Sequence, residues 1–365
     1  MTASMITPVT LLTGFLGSGK TTLLNRLVAH PSLHDTAILI NEFGAVAIDH
    51  LLVRKASGDL VVMANGCICC SVAGDMVKAL RDLYFKRANG EIPYFKRVII
   101  ETTGLADPAP IMHTLIEMPL VAARYALSGI VTTVDATHGE LTLDQHFESV
   151  KQVAVADRIV ITKADLAKPA QLAAMRVRLR NLNPGATILE ASAGDIDPNR
   201  LLDTGLYQPG QKTPDVEKWL RAEAYKPVTT AHSMGYAHQP APPSPRHDQR
   251  IHAFTVIYET PVVWQHLVDA LELLTSIRGD ELLRIKGIVN VAGEAAPRAI
   301  HAVQHTLYPA AKLSAWPDPD RRTRIVFIVR DLNAQFIKDT LDSFINIPEP
   351  SAVLAMPTIK AAAPA

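Results

Sequence analysis

The sequence predicts an α/β fold, a doubly wound and mostly parallel sheet followed by a smaller α+β domain. Three observations predict it. Short β-branched runs alternate with helix-patterned stretches over residues 1–225, as strands buried between crossover helices do. A glycine-rich turn follows the first run and opens the first helix. Past Tyr225 the pattern changes, and a proline-rich stretch gives way to a second set of strands and helices.

Residues 9–12 end an apolar run just before the glycine-rich turn, and residues 20–29 after it carry helical apolar spacing. Residues 37–40, 97–100, 129–134 and 158–161 are the further strands; residues 75–85 and 170–182 are helical. Residues 226–250 hold Pro227, Pro240, Pro242, Pro243 and Pro245 with His232, His238 and His247. They have no periodicity and read as a linker or long loop. In the second domain, 251–346, residues 251–258 alternate as a strand and 261–277 look helical. Residues 282–291 suggest a strand pair around Gly287, 324–329 a strand and 333–344 a helix. Residues 347–365 are Pro/Ala-rich and are expected to form a disordered tail.

Lys plus Arg and Asp plus Glu each number 36 in the 365 residues, a balance that excludes a basic nucleic-acid binder. No apolar run reaches the ~18 residues of a membrane span. The amino-terminal stretch has no basic segment ahead of its apolar run, so no secretory signal is expected. All 3 cysteines lie within four residues, Cys67, Cys69 and Cys70. That is no disulfide framework, and a reducing, cytoplasmic setting is expected.

Gly14-Phe15-Leu16-Gly17-Ser18-Gly19-Lys20-Thr21 matches G-x-x-x-x-G-K-[ST] in full, with the strand before it and the helix after it that the motif requires. Its glycines let backbone N–H groups turn inward on phosphates, and the helix dipole favours the same anion. Lys20 supplies a charge to the β- and γ-phosphates, Thr21 a hydroxyl for Mg²⁺, and Thr22 extends the run. Thr162-Lys163-Ala164-Asp165, at the end of a later strand, has the form N-K-x-D with Thr first. A carboxylate accepts from both N1–H and the exocyclic amine of guanine, a donor pair that adenine lacks. Asp165 is therefore expected to select GTP.

Glu101-Thr102-Thr103-Gly104 stands at another strand end, where a carboxylate can hold Mg²⁺ or its water. Gly104 can donate its N–H to the γ-phosphate and move on hydrolysis. Asn41-Glu42-Phe43-Gly44 stands similarly; either segment can also be a plain βα turn. No glutamine occupies the usual water-orienting place beside Gly104. Lys20, Glu101 and Asp107 are the catalytic candidates, and slow turnover is expected.

Thiolates are soft ligands suited to Zn²⁺, Cu⁺ or Co²⁺. In an extended chain Cys67 and Cys69 share a face and Cys70 points away, so all three converge only if the chain turns. Three thiols cannot close a four-ligand shell; Glu42, His113 or a partner protein could complete it. Buried small hydrophobes and a redox C-x-C pair are the alternatives.

These motifs resemble the CobW-type metal-chaperone GTPases, which include the urease and hydrogenase nickel-insertion GTPases. The resemblance rests on residues 14–22 (GFLGSGKTT), 41–44 (NEFG), 65–72 (NGCICCSV), 101–108 (ETTGLADP), 134–138 (VDATH) and 162–165 (TKAD). In the second half it rests on residues 247–256, 282–293 and 321–332. It implies a P-loop GTPase domain, a metal site at Cys67, Cys69 and Cys70 with zinc or cobalt as cargo, and a client-engaging second domain. Two features depart from it. The linker histidines are scattered where many relatives carry a dense run, and the Cys-Pro peptide of eukaryotic zinc-transferase relatives is missing.

The expected activity is a slow GTPase coupled to delivery of a transition metal to a client metalloprotein, with a homo-oligomer left open. A nucleotide-gated buffer or regulator without client transfer is one alternative. A P-loop kinase or ATPase with structural cysteines is another.

Overall fold

The computed structural model describes residues 6–41, 61–65, 72–192, 195–202, 226–227 and 250–346. The chain runs through β1 (Thr7–Gly14), α1 (Lys20–Val28), β2 (Thr36–Asn41), β3 (Val61–Asn65), α2 (Val72–Ala88) and β4 (Arg97–Glu101). It continues with α3 (Ala109–Glu117), α4 (Pro119–Ala122), β5 (Tyr125–Asp135), α5 (Gly139–Gln145), α6 (Phe147–Ala154) and β6 (Arg158–Thr162). Next come α7 (Pro169–Leu182), β7 (Thr187–Glu190), α8 (Pro198–Leu202), β8 (Lys226–Pro227), β9 (Ile251–Tyr258) and α9 (Trp264–Arg278). β10 (Leu282–Val289), β11 (Arg298–Val303), β12 (Thr306–Leu307), β13 (Ala311–Lys312), β14 (Thr323–Arg330) and α10 (Ala334–Ile345) complete it.

The first sheet has seven strands in the order β3-β2-β4-β1-β5-β6-β7, and every pairing is parallel. Strand periodicity explains its two buried faces. Val9 and Leu11 of β1 and Val98 and Ile100 of β4 pack with Leu80, Leu83 and Met112 of α2 and α3. Leu12, Ile38 and Ile99, one step out of phase, pack on the other face with Leu23 and Leu24 of α1. With β1 between β4 and β5, the carboxyl ends of β1, β4, β5 and β6 share one edge, where open α/β sheets bind ligands.

The second sheet runs β12-β11-β10-β14-β9-β8, with β13 paired to β11. Its pairings are antiparallel except β8 with β9. One face, with Phe254, Ile285 and Phe327, is covered by Leu267, Leu271 and Leu274 of α9 and by Ile337 and Leu341 of α10. The opposite face carries Ile251, Leu283 and Ile328, which pack with Val150, Val153, Met175 and Leu179 of α6 and α7. One continuous apolar layer thus joins the two domains.

Two expectations are corrected here. Residues 282–291 do not make a strand pair: they hold the single strand β10, whose partners are the distant β11 and β14. Gly287 turns nothing; it lies mid-strand, where an added Cβ would come within 2.9 Å of Ile300. Lys226 and Pro227, read as linker, pair with Phe254 and Thr255 at the sheet edge, a position that tolerates proline. Residues 228–249 and 347–365 lie outside the described residues.

A buried charge cluster pins the domains together. Asp157, just before β6, accepts from Arg284 and, at 2.7 Å, from Lys286 Nζ, both on β10. It also accepts from the Ile130 N–H at 2.9 Å. Burial pushes the Asp157 carboxyl up, but the two cations outweigh it and hold it well below the usual range. His301 lies across from Lys286 on β11. Burial, with Lys286 and Arg284 adding to it, pushes that imidazole down to about 3 against the pull of Asp157. Among the described residues no helix is long and apolar enough to cross a membrane.

Candidate functional site

The glycine-rich loop leaves β1 at Gly14 and enters α1 at Gly19, whose φ of 90° is a left-handed conformation that a side chain would strain. Neighbouring strand ends hold the loop from behind. Thr162 Oγ1 donates to Ser18 O at 2.7 Å, and the Ser18 and Thr133 hydroxyls pair at 2.7 Å. Lys163 Nζ donates to Gly17 O at 2.9 Å and to Asp135 Oδ2 at 2.6 Å. Burial pushes the Asp135 carboxyl up, but hydrogen bonds from Lys163 and Thr137 prevail and hold it at about 2. Asp135 therefore stays anionic and keeps Lys163 fixed. Thr162, standing where the motif has asparagine, thus uses its hydroxyl to brace the phosphate loop. Asp165 is exposed beyond it, and Thr22 is exposed in the first turn of α1. Lys20 Nζ donates to Gly14 O at 2.8 Å and Phe15 O at 3.0 Å, lying across the mouth of its own loop.

At the front of this cradle Thr21 Oγ1 donates to Glu101 Oε1 at 2.9 Å. The sheet sets this meeting, because β1 and β4 pair with Leu12 opposite Glu101. Glu101 is only 3% exposed, so a nearly buried carboxylate and a hydroxyl converge beside the phosphate loop. Hard oxygen donors of this kind fit Mg²⁺.

The segment after Glu101 is tied back at several points. Thr102 N–H donates to Leu12 O, and Thr102 Oγ1 donates to Thr13 Oγ1, both at 2.9 Å. Gly104 sits so close to the phosphate loop that an added Cβ would come within 2.6 Å of Leu16 N. Gln152 Nε2 on α6 donates to Gly104 O at 3.1 Å and Ala106 O at 3.0 Å.

Asp107, a catalytic candidate in the sequence, is taken up by neighbouring protein donors. Its Oδ1 accepts from the Ala109 N–H at the start of α3, at 3.0 Å. Its Oδ2 accepts from Lys151 Nζ at 3.0 Å and from Gln304 Nε2 of the second domain at 3.2 Å. His113 on α3 also faces the second domain, with Nδ1 at 3.1 Å from Thr306 Oγ1 and 3.5 Å from Glu117. Gly14, Gly17, Ser18, Gly19, Lys20, Thr21, Glu101, Gly104, Thr162 and Lys163 are thus brought together, while Asp107 and His113 meet the domain boundary. Cys67, Cys69, Cys70 and Glu42 lie outside the described residues. Among the described residues no three His, Cys, Asp or Glu side chains group as a metal site. Gln152 and Gln304 belong to no motif, and only the fold reveals their place.

A parallel sheet with this loop, this Thr–Glu pair and this TKAD brace defines a P-loop GTPase, here joined to an antiparallel second domain. Residues 8–190 match the family model described as "CobW/HypB/UreG, nucleotide-binding domain", and residues 251–345 match the "Cobalamin synthesis protein cobW C-terminal domain". The zinc chaperone YjiA of Escherichia coli is 32% identical over 320 residues, which is 88% of this chain and 93% of YjiA. The zinc-regulated GTPase metalloprotein activator 1 of Saccharomyces cerevisiae is 26% identical over 92% of this chain and 82% of its own. The crystal structure of Zn(II)-bound YjiA from E. coli superposes with a TM-score of 0.68 at 27% identity, covering 93% of this chain and 99% of that one. The chain belongs to the CobW/HypB/UreG family.

Proposed function

We propose that this protein is a GTP-dependent metallochaperone. It binds a transition metal at Cys67, Cys69 and Cys70, zinc first and cobalt as the alternative, and couples GTP hydrolysis to release of the ion to a client protein. The names of its relatives as zinc chaperones and as a GTPase metalloprotein activator support the zinc reading.

One observation carries the coupling. A single run of chain extends from the Thr21–Glu101 pair, past Gly104 at the phosphate loop, to the Asp107–Gln304 contact with the second domain. A displacement at the γ-phosphate therefore has a continuous mechanical path to the client-engaging domain. The cysteines lie in sequence between residues 41–44 and 101–104, so both segments that answer to the nucleotide flank them.

Thr21 and Glu101 would hold Mg²⁺, which when bound neutralises phosphate charge. Lys20 leaves the Gly14 and Phe15 carbonyls to meet the β- and γ-phosphates. Asp135 keeps Lys163 in place beneath the loop, and Asp165 accepts from guanine. Glu101, nearly buried at the phosphate edge, is the carboxylate left to orient water directly or through its neighbours.

The test follows zinc leaving the protein for a chromogenic chelator during a single GTP turnover. Release that is slow with a non-hydrolysable GTP analogue, keeps pace with hydrolysis under GTP and is fast from the outset with GDP supports the proposal. Release at one rate with GTP, GDP or no nucleotide would overturn it in favour of a buffer. Cys69→Ala should abolish most zinc binding and leave GTP binding intact.

A further inference from the structure

Within the reading of Gly104 as the γ-phosphate sensor, one group governs how that sensor stands. Gln152 on α6 is wholly buried, with 0% exposure. Its Nε2 gives both hydrogens to the same segment, at Gly104 O and Ala106 O. Its Oε1 has no hydrogen-bond partner among the described residues. A buried amide kept for the core would have both ends matched, because an orphaned buried acceptor costs stability. This amide serves the segment and leaves its own acceptor unmatched.

The mount of Gln152 is rigid. Thr132 Oγ1 on β5 donates to Gln152 O at 2.7 Å. Asn183 Nδ2 donates to Val153 O at 2.8 Å, Ala154 O at 3.0 Å and Ala156 O at 2.9 Å, capping the helix just past Gln152. On the other side, Gly104 meets Leu16 of the phosphate loop with no room for a Cβ. The glycine is therefore clamped between a fixed amide and the loop that cradles phosphate.

We propose that Gln152 is the positioning residue of GTP hydrolysis: its two amide hydrogens hold Gly104 against Leu16, where the γ-phosphate is sensed. It acts through the Gly104 peptide, to which its amide donates. Its amide hydrogens go to Gly104 and Ala106 and not to residues 14–21, so its removal should separate GTP from GDP.

Gln152→Met in the full-length protein keeps the length and removes the donors; Gln152→Glu keeps the shape and turns a carboxylate on two carbonyls. The second is read in the same way should the first not fold, with GDP binding as the check on folding. GDP affinity should stay within about twofold of the unaltered protein. The affinity ratio of a non-hydrolysable GTP analogue to GDP, and the single-turnover rate at saturating GTP, should each fall about tenfold, the size of losing two neutral hydrogen bonds. An unchanged ratio and rate in a variant that binds GDP overturns the proposal. Amide exchange over residues 102–109 separates the two levels. If the unaltered protein exchanges alike with analogue and GDP, the sensor reading itself fails. If it responds and Gln152→Met responds equally, only the role of Gln152 fails.

Discussion

Asp107 and Gln304 meet across the domain boundary, Oδ2 to Nε2, at 3.2 Å. The residues come from unrelated places, the segment after the Thr21–Glu101 pair and the β11–β12 turn, where Gln304 holds a φ of 50°. The same oxygen takes Lys151 at 3.0 Å, so one carboxylate ties the phosphate-edge segment to α6 and to the second domain.

This contact should register as coupling. In a double-mutant cycle of Asp107→Asn and Gln304→Ala, denaturant unfolding should give an interaction energy of about 1 kcal/mol. Strict additivity would mean the contact holds nothing. Asp107→Asn should also leave single-turnover hydrolysis within about twofold, because its carboxylate is engaged by the Ala109 N–H, Lys151 and Gln304.

The buried cluster behaves differently, because removing one member strands the others. Asp157→Ala leaves Arg284 and Lys286 without the carboxylate they share, and should cost about 3–5 kcal/mol in chemical denaturation. Replacing Asp157 together with both cations by apolar residues should cost much less. A mild effect of Asp157→Ala alone would contradict the charge account of the domain junction.

His301 gives that junction a pH response. Its folded pKa lies near 3 against an ordinary 6.5, so between those values only the unfolded chain takes the proton. Stability should therefore fall as pH drops below 6.5, by at most about 1.4 kcal/mol for each pH unit from this residue. Asp157 acts in the same direction, but only toward more acidic pH, below the ordinary carboxylate range. His301→Gln should flatten the slope between pH 6.5 and pH 5. His252, also pushed down by burial, stays in the variant and keeps part of the slope. An unchanged slope would remove His301 from the account.

Much of this was legible in the sequence, and the limits have physical causes. The phosphate loop, the TKAD segment and the strands around them announce themselves because each local pattern encodes a local conformation. In β10 a glycine inside an apolar run looks like a turn between two strands, while here it makes room for Ile300 within one. The short strand Val61–Asn65 lies beside Thr36–Asn41, a long-range pairing that no periodicity of five residues declares. Gln152, Gln304 and Asp157 carry their roles through tertiary contacts, and a single polar residue on a helix or turn has no signature of its own. Asp107 sits in a motif, but the direction it faces depends on Lys151 and Gln304.

Base selection is tested at Asp165. Asn there offers an amide hydrogen where guanine presents its exocyclic amine, whereas xanthine presents an oxygen. Asp165→Asn should lower GTP affinity about 10- to 100-fold, the range of a charged hydrogen-bond pair, and raise affinity for xanthosine triphosphate. Competition by ATP equal to that by GTP in the unaltered protein would contradict the guanine reading.

The central claim is that the nucleotide sets the hold on metal, and one titration addresses it. Zinc affinity is measured by competition with a chelating dye, on the full chain loaded with a non-hydrolysable GTP analogue and again with GDP. A ligand shifts a conformational balance only by its differential affinity, so the two states must differ, by on the order of tenfold. The tighter zinc binding is predicted with the GTP analogue; equal affinities in the two states would contradict the account.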